Sequence, residues 1–232
     1  MSQQLRPQEE AAKKGVSSDL QGRSNLLISF GGGKGGLGVP VFEFYKSIAH
    51  LNCDKIFLRD FRQAYYQKGV DEDIDHIESL IDYLKKVVEA GNYKKIICIG
   101  NSMGGYAAML FGCIINADRV ISFVLQTLID LPNLIRHSDY RAITGAFRIY
   151  FYRNNRPEYY DLRKYLLNLD SYKTQMKLFF CPSYTIDKIH CERMLVCDGV
   201  ELVEVDEGGH DLVKVLKKRG ALKTVLEEAV YN

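Results

Sequence analysis

A serine with a glycine two positions to each side stands out as a possible nucleophile. Ser102 lies within the stretch Gly100-Asn101-Ser102-Met103-Gly104. The apolar residues Ile96–Ile99 precede this stretch and predict a short buried strand, and the residues that follow it favour a helix. A serine on a sharp turn between a strand and a helix projects its hydroxyl above the sheet, and the glycines let the two elements approach closely. The spacing therefore indicates a nucleophile elbow.

A serine needs a base within hydrogen-bond distance and an acid that orients the base. Among the five histidines, His210 follows the last predicted strand and two glycines, and it precedes a C-terminal helix. This position suits a catalytic base, and the alternative is a structural residue near a helix N-terminus. His190 falls within a predicted helix, where we expect a partly exposed side chain.

In enzymes with a nucleophile elbow, the serine, the acid and the histidine follow one another in that order along the chain. The acid should therefore follow the strand that comes before the last one. That strand is predicted at Lys177–Cys181, and Asp187 is the first acid after it. Asp130 follows the preceding predicted strand and is the alternative.

The glycine-rich loop Gly31–Gly38 has three interpretations. Its Gly33-x-Gly35-x-x-Gly38 spacing, with Asp60 after the next strand, matches a dinucleotide-binding fingerprint. A phosphate-binding loop is disfavoured, because Val39 and Pro40 stand where a lysine and a hydroxyl residue are required. In the third interpretation the glycines bring a backbone N–H close to a developing oxyanion. The elbow serine and the late histidine favour the third, and dinucleotide binding stays open as the weaker alternative.

Strands alternate with helices along the chain, which predicts an α/β fold with a doubly wound, mainly parallel sheet of about six strands. We expect residues 1–24 to form a flexible leader or a weak surface helix, and residues 25–232 to form one domain. The segment 131–173 is rich in tyrosine and basic residues and lacks a strong strand. We expect it to be a helical cap inserted over the sheet.

Composition narrows the function classes. The net charge of +2 over 232 residues gives no argument for nucleic acid or membrane binding. No apolar run reaches the roughly 20 residues of a membrane helix, and the polar N-terminus predicts no signal peptide. The six cysteines form no Cys-x-x-Cys pair, which favours reduced thiols in a cytoplasmic protein. No metal-ligand spacing is present, and we expect neither a metal nor a cofactor.

With Gly100–Gly104, Asp187 and Gly209-His210 in this order, the chain resembles the α/β-hydrolase superfamily from roughly Leu26 to Val230. The resemblance implies a reduced α/β-hydrolase fold with Ser102 as nucleophile, His210 as general base and Asp187 as its orienting acid. It also implies an oxyanion hole formed by the backbone N–H of Met103 and that of Gly32 or Gly31.

Two features depart from the superfamily pattern. Phe30 replaces the histidine that usually precedes the oxyanion glycines. No convincing antiparallel strand pair is predicted ahead of the oxyanion strand.

The implied activity is cleavage of a carboxylic ester or thioester of a small-molecule acyl substrate through a seryl-acyl intermediate. An acyltransferase with the same triad and a non-catalytic binding protein on a hydrolase scaffold are the alternatives. Candidate substrate-binding residues are Tyr65 and Tyr66, which follow a strand end on the predicted active-site side, and Tyr150 and Arg153 of the cap. We expect most other cap aromatics to be packed and most cap arginines to be solvated.

Overall fold

The computed structural model describes residues 15–33, 42–153 and 156–232. Seven strands form one sheet in the order β1-β3-β2-β4-β5-β6-β7. Every neighbouring pair is parallel except β1 and β3, which are antiparallel. The strands are β1 (Val16–Asp19), β2 (Asn25–Phe30), β3 (Asp54–Leu58), β4 (Lys95–Asn101), β5 (Arg119–Phe123), β6 (Gln175–Phe180) and β7 (Val200–Glu204).

Helices cover both faces of the sheet. The α-helices are α1 (Tyr45–Ile48), α2 (Ile77–Gly91), α3 (Met103–Ile114), α4 (Leu131–Arg136), α5 (Ile143–Tyr150), α6 (Leu162–Leu167), α7 (Thr185–Glu192), α8 (Leu212–Lys218) and α9 (Ala221–Tyr231). Short 3₁₀ turns occupy Tyr140–Ala142, Pro157–Tyr159 and Gly209–Asp211.

The central strands are apolar over most of their length because both of their faces are covered. Along β4, Ile97 and Ile99 pack in the core cluster that contains residues of α8 and α9. Ile96 and Cys98 pack in the opposite cluster with α2 and α3. The alternation of side chains along a strand thus divides one apolar run between two cores.

The order of the strands places the carboxyl ends of β2 and β4 side by side. The chain runs from β2 out to β3 and then returns to β4 on the other side of β2. In the resulting register Phe30 lies opposite Gly100. Open α/β sheets bind ligands at such a switch in strand order, outside the carboxyl ends of the strands.

The predicted α/β class and mainly parallel sheet are confirmed, but the sheet has seven strands instead of about six. The additional strand is β1, which lies within the segment that we expected to be a leader up to residue 24. Its sequence, Val-Ser-Ser-Asp, has one apolar residue, and its backbone pairs with β3 far along the chain. Residues 1–14 lie outside the described residues.

Between β5 and β6 the chain forms the helices α4, α5 and α6, which agrees with the predicted helical insertion. Ala146, Ile149 and Leu166 are buried in the same core cluster as α3. Tyr106 of α3 donates its hydroxyl to the carbonyl oxygen of Tyr159 at 2.8 Å. This insertion, residues 131–173, is called the cap below. Within the described ranges, no helix combines the length and the apolar character required to cross a membrane.

The contact between β4 and α3 leaves no room for side chains at the two elbow glycines. A Cβ atom on Gly100 would lie 2.0 Å from the carbonyl oxygen of Gly104, and one on Gly104 would lie 2.2 Å from that of Phe30. Both obstructing atoms belong to the backbone, so a rotamer change cannot relieve the clash.

We therefore expect Gly100→Ala to lower the free energy of unfolding by about 3 kcal/mol, at the upper end of overpacking costs. Urea denaturation of the two proteins measures this difference. Gly33→Ala is the matched control, because a Cβ there meets no atom of the described residues within 4 Å. Equal unfolding midpoints for Gly100→Ala and the wild type would contradict the close approach.

Candidate active site

Ser102 occupies the turn between β4 and α3 with a backbone φ of 55°. A non-glycine residue in this left-handed region is strained, and such strain persists only where the surrounding structure imposes it. Here the Ser102 N–H donates to the carbonyl oxygen of Phe123 at 2.9 Å. The backbone is thereby fixed on the β5 side while the hydroxyl faces the end of the sheet.

His210 reaches the serine from the loop after β7. Two glycines with positive φ, Gly208 at 111° and Gly209 at 48°, turn the chain just before it. The imidazole Nε2 lies 3.1 Å from Ser102 Oγ, within hydrogen-bond distance.

Asp187 lies in the first turn of α7 and is fully buried. Its Oδ2 lies 3.4 Å from His210 Nδ1. The structure thus brings together the three side chains that the sequence selected. Asp130, the alternative acid, instead caps α4, where its carboxylate accepts hydrogen bonds from the backbone and side chain of Asn133.

A cap residue that the sequence did not single out also contacts the acid. Arg141 donates through Nη1 to the second oxygen of Asp187, and this nitrogen lies 3.1 Å from His210 Nδ1. The other edge of the guanidinium is paired with Asp139, with Nε–Oδ1 at 2.7 Å and Nη2–Oδ2 at 2.9 Å. One guanidinium therefore bridges two carboxylates beside the histidine.

Behind Arg141, the side chain of His190 supports Asp139. The backbone N–H of Thr127 donates to His190 Nδ1 at 3.1 Å, so that nitrogen must be the acceptor. Nε2 then carries the proton and donates to Asp139 Oδ2 at 2.9 Å. His190 is 1% exposed, so the expectation of a partly exposed helix residue was wrong.

The environment of Asp139 keeps it ionised. Burial alone would raise its pKa, but the hydrogen bonds from Arg141 and His190 outweigh burial and hold the pKa well below its usual range. Gln126 adds a longer contact to the same carboxylate at 3.4 Å and accepts a hydrogen bond from the Tyr65 hydroxyl at 2.6 Å. A polar network thus extends from Tyr65 through Gln126 to Asp139.

The two glycines proposed as oxyanion donors have their N–H groups engaged elsewhere. Gly31 donates to the carbonyl oxygen of Leu58 at 2.9 Å, which extends the pairing of β2 with β3. Gly32 donates to Glu43 Oε2 at 2.7 Å, and the other oxygen of Glu43 accepts from Asn101 Nδ2 at 3.0 Å. In this structure, Gly31 is therefore unavailable as a donor, and Gly32 is occupied by a carboxylate.

A cavity of about 520 Å³ opens at the serine. Its floor includes Ser102, His210 and Gly33, and its wall includes Tyr65, Gln126 and cap residues. The cap residues are Tyr140, Arg141, Ala142, Thr144, Gly145 and Arg148. The cavity is large enough for a small-molecule substrate.

Of the four candidate substrate-binding residues, Tyr65 alone lines this cavity. Tyr66 is fully buried and donates its hydroxyl to the carbonyl oxygen of Gly31 at 2.9 Å, so it belongs to the core. Among the described lining residues, Tyr150 and Arg153 do not appear, and Tyr150 is 66% exposed on the outside of the cap. Arg148, one helical turn beyond Thr144, lines the cavity where we had expected Arg153.

The dinucleotide interpretation concerned a loop of which residues 34–41 lie outside the described residues. Its acid can be located: Asp60 is buried, and its Oδ2 accepts from the backbone N–H groups of Ala64 and Tyr66 at 2.6 and 2.9 Å. These bonds hold a turn in which Tyr65 and Tyr66 have positive φ. Asp60 thus shapes the loop that carries Tyr65 to the cavity.

The sheet order, the elbow and the positions of Ser102, Asp187 and His210 define an α/β-hydrolase-like fold, and solved structures agree. The chain is similar to the capsule O-acetyltransferase of Neisseria meningitidis serogroup A, with a TM-score of 0.65 at 14% identity over 91% of this chain and 90% of that one. A histidine-to-alanine mutant of that acetyltransferase has been solved in complex with CoA.

Two further solved structures are similar to the chain. One is a lipase-esterase related protein from Clostridium acetobutylicum, with a TM-score of 0.56 at 15% identity over 93% of this chain and 99% of that one. The other is an α/β-hydrolase enzyme from a sediment metagenome, with a TM-score of 0.52 at 14% identity over 88% and 95%. No protein-family model and no curated protein sequence matches the chain.

Glu43 provides a test of the arrangement around the elbow. Burial raises the pKa of its carboxyl, against the opposing hydrogen bonds from Gly32 and Asn101. A raised pKa in the folded state means that ionisation of Glu43 costs stability once the pH exceeds its ordinary pKa of 4.5. Asn101 Oδ1 is buried and has no hydrogen-bond partner in the described part of the chain.

We expect Glu43→Gln to be more stable than the wild type at pH 7, because glutamine avoids the cost that burial imposes on an ionisable carboxyl and keeps an acceptor for Gly32. A turn of the Asn101 amide would let its free oxygen accept from the new amide group. The gain should disappear as the pH falls below 4.5, where Glu43 is protonated in both states. Urea denaturation at the two pH values measures it, with Glu43→Ala, which loses both bonds, as the destabilised control. A Glu43→Gln protein less stable than the wild type at pH 7 would contradict this account.

Proposed function

We propose that the protein is a serine acyl-transfer enzyme that hydrolyses a carboxylic ester or thioester of a small molecule. The observation that carries the proposal is the 3.1 Å separation of Ser102 Oγ and His210 Nε2 at a strained elbow. A serine hydroxyl is activated when a base within this distance can accept its proton. The buried Asp187 carboxylate, 3.4 Å from His210 Nδ1, supplies the orienting acid.

The reaction proceeds in two transfers. Ser102 Oγ attacks the carbonyl carbon while its proton passes to His210 Nε2, which gives a tetrahedral oxyanion. The carbonyl re-forms, the bond to the leaving alcohol or thiol breaks, and His210 returns the proton to the leaving group. A water molecule then attacks the seryl ester, gives a proton to His210, and releases the acid as that proton returns to Ser102.

Backbone N–H groups near the serine stabilise the oxyanion in this proposal. Met103 begins α3, and the first N–H groups of a helix lack acceptors within the helix. Since the N–H groups of Gly31 and Gly32 are engaged, we assign the second donor to Gly33, which lines the cavity together with Ser102 and Met103. Glycine at this position lets the backbone come close to the reacting carbonyl.

Acyl transfer to an acceptor other than water is the second candidate. It is favoured by the similarity to an O-acetyltransferase over nine-tenths of both chains. A CoA thioester as acyl donor would form the same seryl ester at Ser102, and an acceptor hydroxyl would take the place of water. The first half of the reaction is therefore common to both candidates.

Replacement of Ser102 tests both candidates together. We expect Ser102→Ala to lose about 10⁴–10⁶-fold in kcat on an activated ester, because the nucleophile is removed and the rest of the site is kept. It should also lose labelling by a fluorophosphonate probe. Ser138→Ala, which changes an exposed cap serine, should keep both properties. Unchanged turnover by Ser102→Ala, or no Ser102-dependent labelling of the wild type, would favour a non-catalytic binding protein.

Product analysis separates hydrolysis from transfer. With an activated acetyl ester and an added alcohol or sugar, a hydrolase should give mainly acetate, whereas a transferase should give the acetylated acceptor in rising proportion with acceptor concentration. Mass spectrometry of the products measures this partition. Acetate as the sole product at saturating acceptor would exclude transfer to the acceptors tried, and acylated acceptor in excess over acetate would reverse our order of preference.

A further inference from the structure

Arg141 lies between the site and a second buried carboxylate that the proposed mechanism does not use. Asp139 is fully buried and accepts hydrogen bonds from five donors. Three of these belong to Arg141 itself, and the other two come from His190 and Gln126. The pairing with Asp139 is bidentate, which fixes the plane of a guanidinium as well as its position.

Because Asp139 holds one edge of Arg141, the remaining Nη1 has a fixed direction toward the site. It donates to Asp187 Oδ1, which leaves Oδ2 to face His210 Nδ1. The ring of Tyr184 covers the guanidinium, with Cζ 5.7 Å from the ring centroid. The guanidinium therefore determines how Asp187 presents its two oxygens.

The same nitrogen places a positive charge next to the base. Arg141 Nη1 lies 3.1 Å from His210 Nδ1, closer than the nearer oxygen of Asp187 at 3.4 Å. A cation at this distance opposes protonation of the imidazole, whereas Asp187 favours it. Asp139, on the far side of Arg141, partly offsets the cation.

Other ionisable groups face His210 from neighbouring elements. Glu43, ahead of α1, is near enough for His210 to influence it electrostatically. Tyr184, ahead of α7, lies with its ring centroid 6.4 Å from that of His210. These groups remain unchanged in the substitutions below, so their effect is constant across the comparison.

We propose that Arg141 is a positioning residue for the Asp187–His210 pair: it orients Asp187 and places a cation beside the imidazole. Asp139 anchors Arg141 and partly offsets its charge. The inference rests on the proposed function of Ser102 and His210, and it adds a charge pair from the cap to their site.

Two substitutions that remove opposite charges test it. Arg141→Met should shift the acidic limb of kcat/KM on an activated ester to higher pH by about one unit, because the charges of Asp187 and, farther away, Asp139 then act on His210 without the cation. Asp139→Asn should shift the limb to lower pH by a smaller amount, since it leaves the cation less compensated. The double variant has the same local net charge as the wild type, and its acidic limb should lie between those of the two single variants. A purely structural role would lower kcat without opposite shifts.

Arg141→Lys separates charge from geometry. It keeps the cation, so its acidic limb should stay near that of the wild type. It should nevertheless lose kcat, because an ammonium cannot bridge Asp139 and Asp187 with the planar geometry of a guanidinium.

Arg193→Met is the matched control. Arg193 also pairs with a carboxylate, at 2.9 Å from both oxygens of Asp161, and its other hydrogen bonds within the described residues go to Thr127. It should lose stability with an unchanged acidic limb.

A second readout keeps the test independent of substrate. The pH titration of the His210 imidazole, followed by NMR and assigned with His210→Gln, should show the same opposite shifts in the folded variants. If Arg141→Met fails to fold, the shift in Asp139→Asn and the loss of kcat in Arg141→Lys test the proposal. Equal midpoints in the wild type and the folded charge-removal variants, Arg141→Met and Asp139→Asn, or shifts of the same sign for both, would overturn the role of Arg141. An absence of Ser102-dependent chemistry would instead overturn the proposed function, and the NMR titration would still decide how Arg141 affects His210.

Discussion

The backbone-to-backbone contact between α3 and the strands β2 and β4 is the constraint on which the site depends. The helix can approach this closely only because Gly100 and Gly104 lack side chains. The close approach forces the intervening Ser102 into a left-handed backbone conformation and lifts its hydroxyl to the end of the sheet. At the same point the strand order reverses, which places the ends of β2 and β4 beside a crevice, and the loop after β7 brings His210 Nε2 to 3.1 Å from Ser102 Oγ. A serine elsewhere on α3 would face the core instead.

The parts of the site that the sequence predicted are those fixed by local pattern. The buried run Ile96–Ile99 and the flanking glycines identify β4, the elbow and α3 without any knowledge of distant contacts. Asp187 and His210 followed from their positions after predicted strands. The strand β1 escaped prediction because four mostly polar residues become a strand only by pairing with β3. Arg141 and Asp139 escaped for a similar reason: these cap residues meet Asp187 and His190 of α7 only after the cap folds over the sheet. The engagement of the Gly32 N–H by Glu43 likewise has no signature in the spacing of glycines.

The charged groups around the site are one guanidinium and two buried carboxylates. Arg141 faces two carboxylates, and the neutral tautomer of His190 and the amide of Gln126 satisfy the remaining acceptor sites of Asp139. Buried ion pairs are poor contributors to net stability, because desolvation cancels much of their attraction. They are effective, however, at holding groups in one arrangement, since removal of any partner leaves an uncompensated charge. Their position here, directly behind Asp187, fits a role in orientation more closely than a role in stability.

The cap joins substrate contact to the catalytic geometry. Tyr140, Thr144 and Arg148 line the cavity, and Arg141 of the same segment reaches Asp187. The segments that follow β4, β6 and β7 carry Ser102, Asp187 and His210, whereas the cap supplies several cavity-lining residues together with the cation beside Asp187. A displacement of the 3₁₀ turn Tyr140–Ala142 by a bound ligand would therefore change the orientation of Asp187 as well as the shape of the cavity. The two proposed reactions, hydrolysis and acyl transfer, use the same Ser102, so in this proposal the difference between them depends on which acceptor the cap admits to the site.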